Sequence, residues 1–264
     1  MKKLIEFNES TNSPTSGISP WATLSKSTYQ DLILKPEFAS RRLKFATGST
    51  WCRVVPALRD SDKGWMLGIH ALKYAKGCHA HPKSITSGQK SVFDRAYRWL
   101  KEHQPESLYS KTNKEGYRLL ADPLCLFWVI VDEGEKTVAR LLLLSGYDGI
   151  RGGTPGLGHQ IWQLTKEVDE DGNLLGNPAD PISGVQICVE KCQTPGTRYP
   201  SYKVKRGRVV APIKDMLKKI DLTESAALTP LEQVVHIPDQ DQEWDLLHNV
   251  IDAKTVEKIK AANS

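Results

Sequence analysis

The sequence predicts a mainly β protein of α+β class. Its core is a partly open barrel of five or six strands, carrying a few short helices and a helical C-terminal extension. Three observations predict it. Strand-like runs come largely in adjacent pairs separated by turn residues. Single short helices fall between strands and before the final pair. No stretch alternates strand and helix for long enough to build a doubly wound parallel sheet, and no internal repeat is present.

Taken in order, residues 8–20 are polar and rich in Ser, Pro and Gly, which predicts a flexible arm over residues 1–20. Trp21, Leu24, Tyr29, Leu32 and Ile33 suggest a short helix ending before Pro36. Residues 50–56 read as a strand with Trp51, Arg53 and Val55 on one face, ended by Pro56. Residues 65–72 read as a second strand, and the two look like a hairpin. Residues 74–89 read as a loop. Residues 91–103 form an amphipathic helix, capped by Ser91 with Asp94 at the third helical position and striped by Val92, Phe93, Ala96, Trp99 and Leu100.

Leu124–Val131 is the most apolar run of the chain and predicts a central buried strand. A turn leads into a second apolar strand at 137–144, and a short helix follows at 159–167. Strands at 184–190 and 199–205 complete the set, joined by Thr194-Pro195-Gly196. Hairpins wrapped with so few helices fit the OB type of small open barrel. The expected domain spans 21–219. A tail, acidic and then helical, occupies 220–264, with an amphipathic pattern over 243–262 that breaks near Asp252; it suits docking on the barrel, on a second subunit or on a partner protein, the barrel being the favoured expectation.

Composition sets the function classes. With 39% hydrophobic residues the chain has the means for a sizeable core. No apolar run reaches the length of a membrane span, no signal peptide is evident, and five cysteines without framework spacing suggest a reducing, cytoplasmic setting. Nucleotide-binding, hydrolase and zinc-protease motifs are missing; the glycines at 153, 156 and 158 lack dinucleotide-fingerprint spacing. Cys78, His79, His81 and His70 are the one group to weigh as zinc ligands, but structural sites space their ligands as separated pairs. The expectation is no metal and no cofactor. Cys52, Cys125, Cys188 and Cys192 read as buried thiols.

Charge is segregated. Residues 35–120 hold 17 Lys or Arg against 7 Asp or Glu, residues 198–219 hold 8 against 1, and residues 221–253 hold 8 acids and no Lys or Arg. That is the pattern of a polyanion binder with an acidic partner-binding segment. Residues 199–208 interleave aromatic and basic side chains, which suits a surface that stacks bases and neutralises phosphates and equally a solvated edge strand. Aromatics with basic neighbours extend the set. The candidate nucleic-acid contacts are Trp51, Arg53, Trp65, Lys73, Tyr74, Lys76, Lys111, Lys114, Tyr117, Arg118, Arg198, Tyr199, Tyr202, Lys203, Lys205 and Arg206. Phe127, Trp128 and Trp162 sit in apolar runs and read as core.

The strand W-C-R-V-V-P followed by G-W-M-L-G-I-H, the apolar pair L-C-L-F-W-V-I-V and V-A-R-L-L-L-L, and D-P-I-S-G-V-Q-I-C-V-E-K before an aromatic-basic strand occur in a telling order. Over about residues 40–210 this order resembles the single-stranded-DNA-binding, helix-destabilising proteins of tailed bacteriophages. The resemblance implies an OB-fold that coats single strands during DNA replication, recombination or repair in a bacterial host. It further implies little sequence preference, and replication or recombination partners for the acidic segment; missing catalytic motifs add the expectation of a non-enzyme, and self-association along DNA is a further expected partnership. Several members of that family carry zinc in the loop after the first hairpin, with closely paired cysteines; this chain has no C-x-x-C there and ends in K-T-V-E-K-I-K-A-A-N-S. The alternative is a metal-dependent nuclease with scattered acidic ligands.

Overall fold

The computed structural model describes residues 33–57, 64–74, 77–109, 119, 121–146, 156–193, 196, 200–220 and 229–263. In chain order these form α1 (Pro36–Ala39), β1 (Gly48–Val54), β2 (Leu67–Tyr74), β3 (Gly77–Ala80), a 3₁₀ turn (Pro82–Ser84), α2 (Val92–His103), α3 (Pro105–Tyr109), β4 (Asp122–Glu133) and β5 (Lys136–Ser145). They continue with α4 (Leu157–Leu164), β6 (Val185–Cys192), β7 (Ser201–Val209), α5 (Ile213–Leu217), α6 (Leu231–Val234), α7 (Gln240–Leu247) and α8 (Ala253–Ala261). The result is an α+β protein on one seven-stranded, mostly antiparallel sheet that does not close. Among the described residues no helix is long and apolar enough to cross a membrane.

The sheet forks at β4. One edge of β4 pairs along its length with β5, from Leu124↔Ser145 to Glu133↔Lys136. The other edge is shared: its first half takes β2 at Leu67↔Leu126 through Ala71↔Asp122, and its second half takes β1 at Arg53↔Ile130 and Val54↔Val129. β1 then pairs with β6, and β6 with β7. The hairpin expected between residues 50–56 and 65–72 is therefore corrected: β1 goes to β4 and β6, while β2 goes to β3 and β4. The expected loop over 74–89 contains β3, too short at four residues for a period-two pattern to reveal.

β4 is apolar from Leu124 to Val131 because both of its faces are covered there. Leu124, Leu126, Trp128 and Ile130 face one core with Ala139, Leu141 and Leu143 of β5. Cys125, Phe127, Val129 and Val131 face the other, with Leu142 and Leu144 and with Leu157, Ile161 and Leu164 of α4. A two-residue turn closes the β4–β5 hairpin, with Gly134 at φ +67° in its first position, the conformation such a turn reserves for glycine.

A third core joins the C-terminal region to the body. Val92, Phe93, Ala96 and Leu100 of α2 meet Trp244 and Leu247 of α7 and Val256 and Ile259 of α8. The α2 start is a capping box: the Asp94 N–H donates to Ser91 Oγ at 3.2 Å, and the Ser91 N–H donates to Asp94 Oδ2 at 3.0 Å. Glu243, 3% exposed, reaches the same helix end, where its Oε2 accepts the Val92 N–H at 2.9 Å. Upstream, the Lys35 and His236 N–H groups bond to Val234 and Ile33 across a short bridge, and the Trp128 indole N–H donates to Thr229 O at 3.0 Å. The acidic-then-helical segment thus docks on its own body, with its break at Asp252, which caps α8.

Candidate nucleic-acid interface

The β1–β6–β7 ribbon carries the candidate surface. Its registers place Ser49, Glu190 and Lys203 in one cross-strand row and Trp51, Cys188 and Lys205 in the next. Cross-strand partners share a face, so Trp51, Lys203 and Lys205 stand together on the outer side. Trp51 keeps 48% of its surface exposed, an unusual state for a large aromatic on a central strand. Its indole lies over Gly207, and Gln186 and Arg208 flank it in an open hollow. Lys205 Nζ donates to Glu190 Oε1 at 2.6 Å, and this bond raises the lysine above its ordinary pKa. The face offers a flat aromatic surface with cations around it, which can stack a base while neutralising phosphates.

Alternation divides the aromatic-basic strand. Tyr202, Val204 and Arg206 turn inward, opposite Lys203 and Lys205. Tyr202 packs beside Phe45 with ring centroids 6.2 Å apart, and burial raises its phenol above the usual value while nearby Arg42 pulls the other way. Arg206 leaves the candidate set: it donates to the carbonyls of Leu164, Leu175 and Gly176 and pairs with Glu167 at 2.9 Å, tying β7 to the end of α4.

Arg53 leaves it as well. It is fully buried, and its guanidinium donates to the carbonyls of Pro178, Asp180 and Val54. Burial lowers its pKa, opposed by the Asp180 carboxylate. The 178–184 turn that covers it is itself held by Asp180 Oδ1, which accepts the N–H groups of Ile182 and Ser183. Gly184 lies beneath, where an added Cβ would run into the Arg53 guanidinium. Trp65 is half-buried, edge-on to Phe127 at 5.7 Å.

Lys76, Lys111, Lys114, Tyr117, Arg118, Arg198 and Tyr199 lie outside the described residues, as do the side chains of Lys73 and Tyr74. Neighbours of Trp51 and Tyr202 lie beyond the candidate set, although Arg208 belongs to the aromatic-basic run read at 199–208. Gln186 and Arg208 border Trp51, and Arg42, Lys44, Phe45 and Lys191 surround Tyr202. The run R-R-L-K-F at 41–45 is a basic-aromatic pattern that marks the second group.

The His-rich segment is built into the core. His81 is buried; its Nδ1 accepts the Lys83 N–H at 3.0 Å and its Nε2–H donates to Asp94 Oδ2 at 2.7 Å, so both ring nitrogens are engaged. Burial holds its pKa below the usual imidazole range against the pull of Asp94. His79 packs edge-on to Phe93 and lies 3.7 Å from Glu243 Oε1. Among the described residues no three His, Cys, Asp or Glu side chains come together as a metal site. Cys52 and Cys125 are buried, which pushes Cys52 far up and Cys125 up to about 12, so neither thiol is reactive. Cys192, expected to be buried, is exposed at the end of β6, and Trp162, expected in the core, is half-buried under Lys166 at 3.8 Å. No protein-family model matches the chain, and no curated protein matches it.

Proposed function

We propose that this chain is a single-stranded-DNA-binding protein of OB type, akin to the helix-destabilising proteins of tailed phages and acting in replication, recombination or repair. The observation that carries the reading is Trp51: an exposed indole on a sheet face, flanked by Gln186 and Arg208, with Lys203 and Lys205 on the same face. A flat π-surface amid cations serves any base, so binding is largely independent of sequence. Connectivity supports the barrel. Five strands run β5-β4-β1-β6-β7 through the ladder, and α4 spans the two free ends, where Gln160 Oε1 accepts the Val204 N–H at 3.1 Å. Such barrels bind oligonucleotides on a strand face and the loops beside it. By binding the single strand and not the duplex, the protein shifts the melting equilibrium without catalysis.

The test is fluorescence anisotropy of a labelled dT20 strand against a duplex of equal length, at 50 and 200 mM salt. Preferential binding of the single strand, weakening as salt rises, is expected. Equal affinity for the duplex, or metal-dependent cleavage of the probe, would overturn the reading.

A further inference from the structure

We infer that the cleft between the free ends of β5 and β7 is a second nucleotide-binding site, taking one unpaired base with its phosphate. The inference rests on the single-strand reading above. It adds to the Trp51 face a site on the opposite side of β7.

The cleft is about 430 Å³, within the range of roughly 300–1,000 Å³ of small-ligand sites. Phe45 and Tyr202 form an aromatic wall, their rings tilted by 59°. Arg42, Lys44, Lys191 and Ser145 supply its polar rim, and among the described residues no Asp or Glu lines it. The outer face differs in this respect, because Glu190 there occupies Lys205.

The wall is pre-formed. The Leu43 N–H donates to Leu141 O at 2.8 Å and the Leu141 N–H to Arg41 O at 2.9 Å, so residues 41–43 lie along β5. Lys191 Nζ donates to Phe45 O at 3.0 Å, fixing the far end of the strap while keeping two further N–H donors. Ligand binding therefore costs little ordering of the chain.

The lining selects the ligand class. A bare anion would leave the aromatic wall unused, and an apolar molecule would make no use of the cationic rim. A planar base bearing a phosphate uses both. Because Tyr202 and Lys203 are neighbours pointing to opposite faces, a strand crossing the edge of β7 reaches both sites.

The nucleotide could belong to a strand or be free, and the experiment separates the two. A dT20 strand carrying 5-iododeoxyuridine is photocrosslinked to the full chain, with unlabelled dT20 or thymidylate as competitor, and the adduct is mapped by mass spectrometry. Crosslinks at Phe45 or Tyr202, displaced by dT20 and not by equal nucleotide concentrations of thymidylate, are expected. Lys44 is exposed, so Lys44→Glu tests the cleft in a folded protein. Affinity for dT20 should fall about 3- to 10-fold and the log–log salt slope by about one. Crosslinks confined to Trp51, with unchanged affinity in Lys44→Glu, would overturn the cleft and leave the single-strand reading standing. Displacement by thymidylate alone would assign the cleft to a free nucleotide and overturn the strand path. Absence of any dT20 binding would overturn both.

Discussion

The indole of Trp51 lies across Gly207, two strands away: a Cβ built on Gly207 would stand 2.6 Å from Trp51 Cζ3. The glycine gives the ring a bed on the sheet, and the ring's other face is left for a ligand. Trp51→Ala should cost about 1–3 kcal/mol of single-strand affinity, roughly 5- to 150-fold. Its thermal midpoint should move little, because the ring is an exposed surface group. Gly207→Ala should weaken binding too, by lifting the ring. Anisotropy titration beside a thermal melt checks both, and wild-type affinity in a folded Trp51→Ala protein would remove Trp51 from the site.

Lys205 is held by Glu190 on that same face. Glu190→Gln releases the lysine for phosphate, so affinity for dT20 at 50 mM salt should rise about 2- to 5-fold and its salt dependence should steepen. Unchanged affinity and slope would mean that Lys205 never meets the strand.

Arg53 supports the platform from below without touching a ligand. Arg53→Met leaves the carbonyls of Pro178 and Asp180 without their donor, at about 1–3 kcal/mol for each buried acceptor. Arg53→Lys should recover only part of this, since one ammonium cannot reproduce the guanidinium fork. Urea unfolding reads the result, and a midpoint within error of wild type for Arg53→Met would refute the assignment.

Glu243 joins the C-terminal helices to α2. Glu243→Leu orphans the Val92 N–H and should destabilise the protein by about 1–3 kcal/mol. Limited proteolysis should then cut the C-terminal region before the β-sheet. Simultaneous loss of both parts would show that they unfold as one unit.

His81 makes stability depend on pH. Its folded pKa is depressed by burial, with Asp94, Lys83 and Glu243 as the charged neighbours. The unfolded chain takes up the proton near its ordinary value of about 6.5, and the folded chain resists it. The contribution is therefore complete above that value and is lost as pH falls below it. The thermal midpoint should drop between pH 7.5 and 5.5. In His81→Asn, which keeps a local acceptor but does not titrate, that slope should shrink; an identical slope would place its origin elsewhere.

What was legible in the sequence is what local pattern decides. Ser91 and Asp94 three residues apart announced the start of α2, and the unbroken apolar run of β4 announced a strand covered on both faces. The aromatic-basic strand read as one surface, and the structure divides it, with Tyr202 inward and Lys203 outward. Partner choice is another matter. β1 finds its neighbours at residues 129–130 and 187–191 rather than at the nearby β2, because pairing is settled by the whole core. Arg53 has the sequence context of a surface cation. Only the turn at 178–184, far along the chain, turns it into a buried one.

In most strands a slip of one residue is forbidden because it would put apolar side chains into water. In β4 that safeguard is weaker, since Leu124, Leu126 and Trp128 would exchange places with Cys125, Phe127 and Val129, and only the volumes and the Trp128 bond to Thr229 tell the two faces apart. The alignment of β4 with β5 is thus set in part at its far end, by the two-residue turn that begins at Gly134. An extra residue inserted there leaves every core side chain present yet should abolish the cooperative thermal transition. For this sheet, apolar patterning alone does not set the alignment, and the turn at Gly134 keeps the count together with the Trp128 bond to Thr229 and the pairings to β1 and β2.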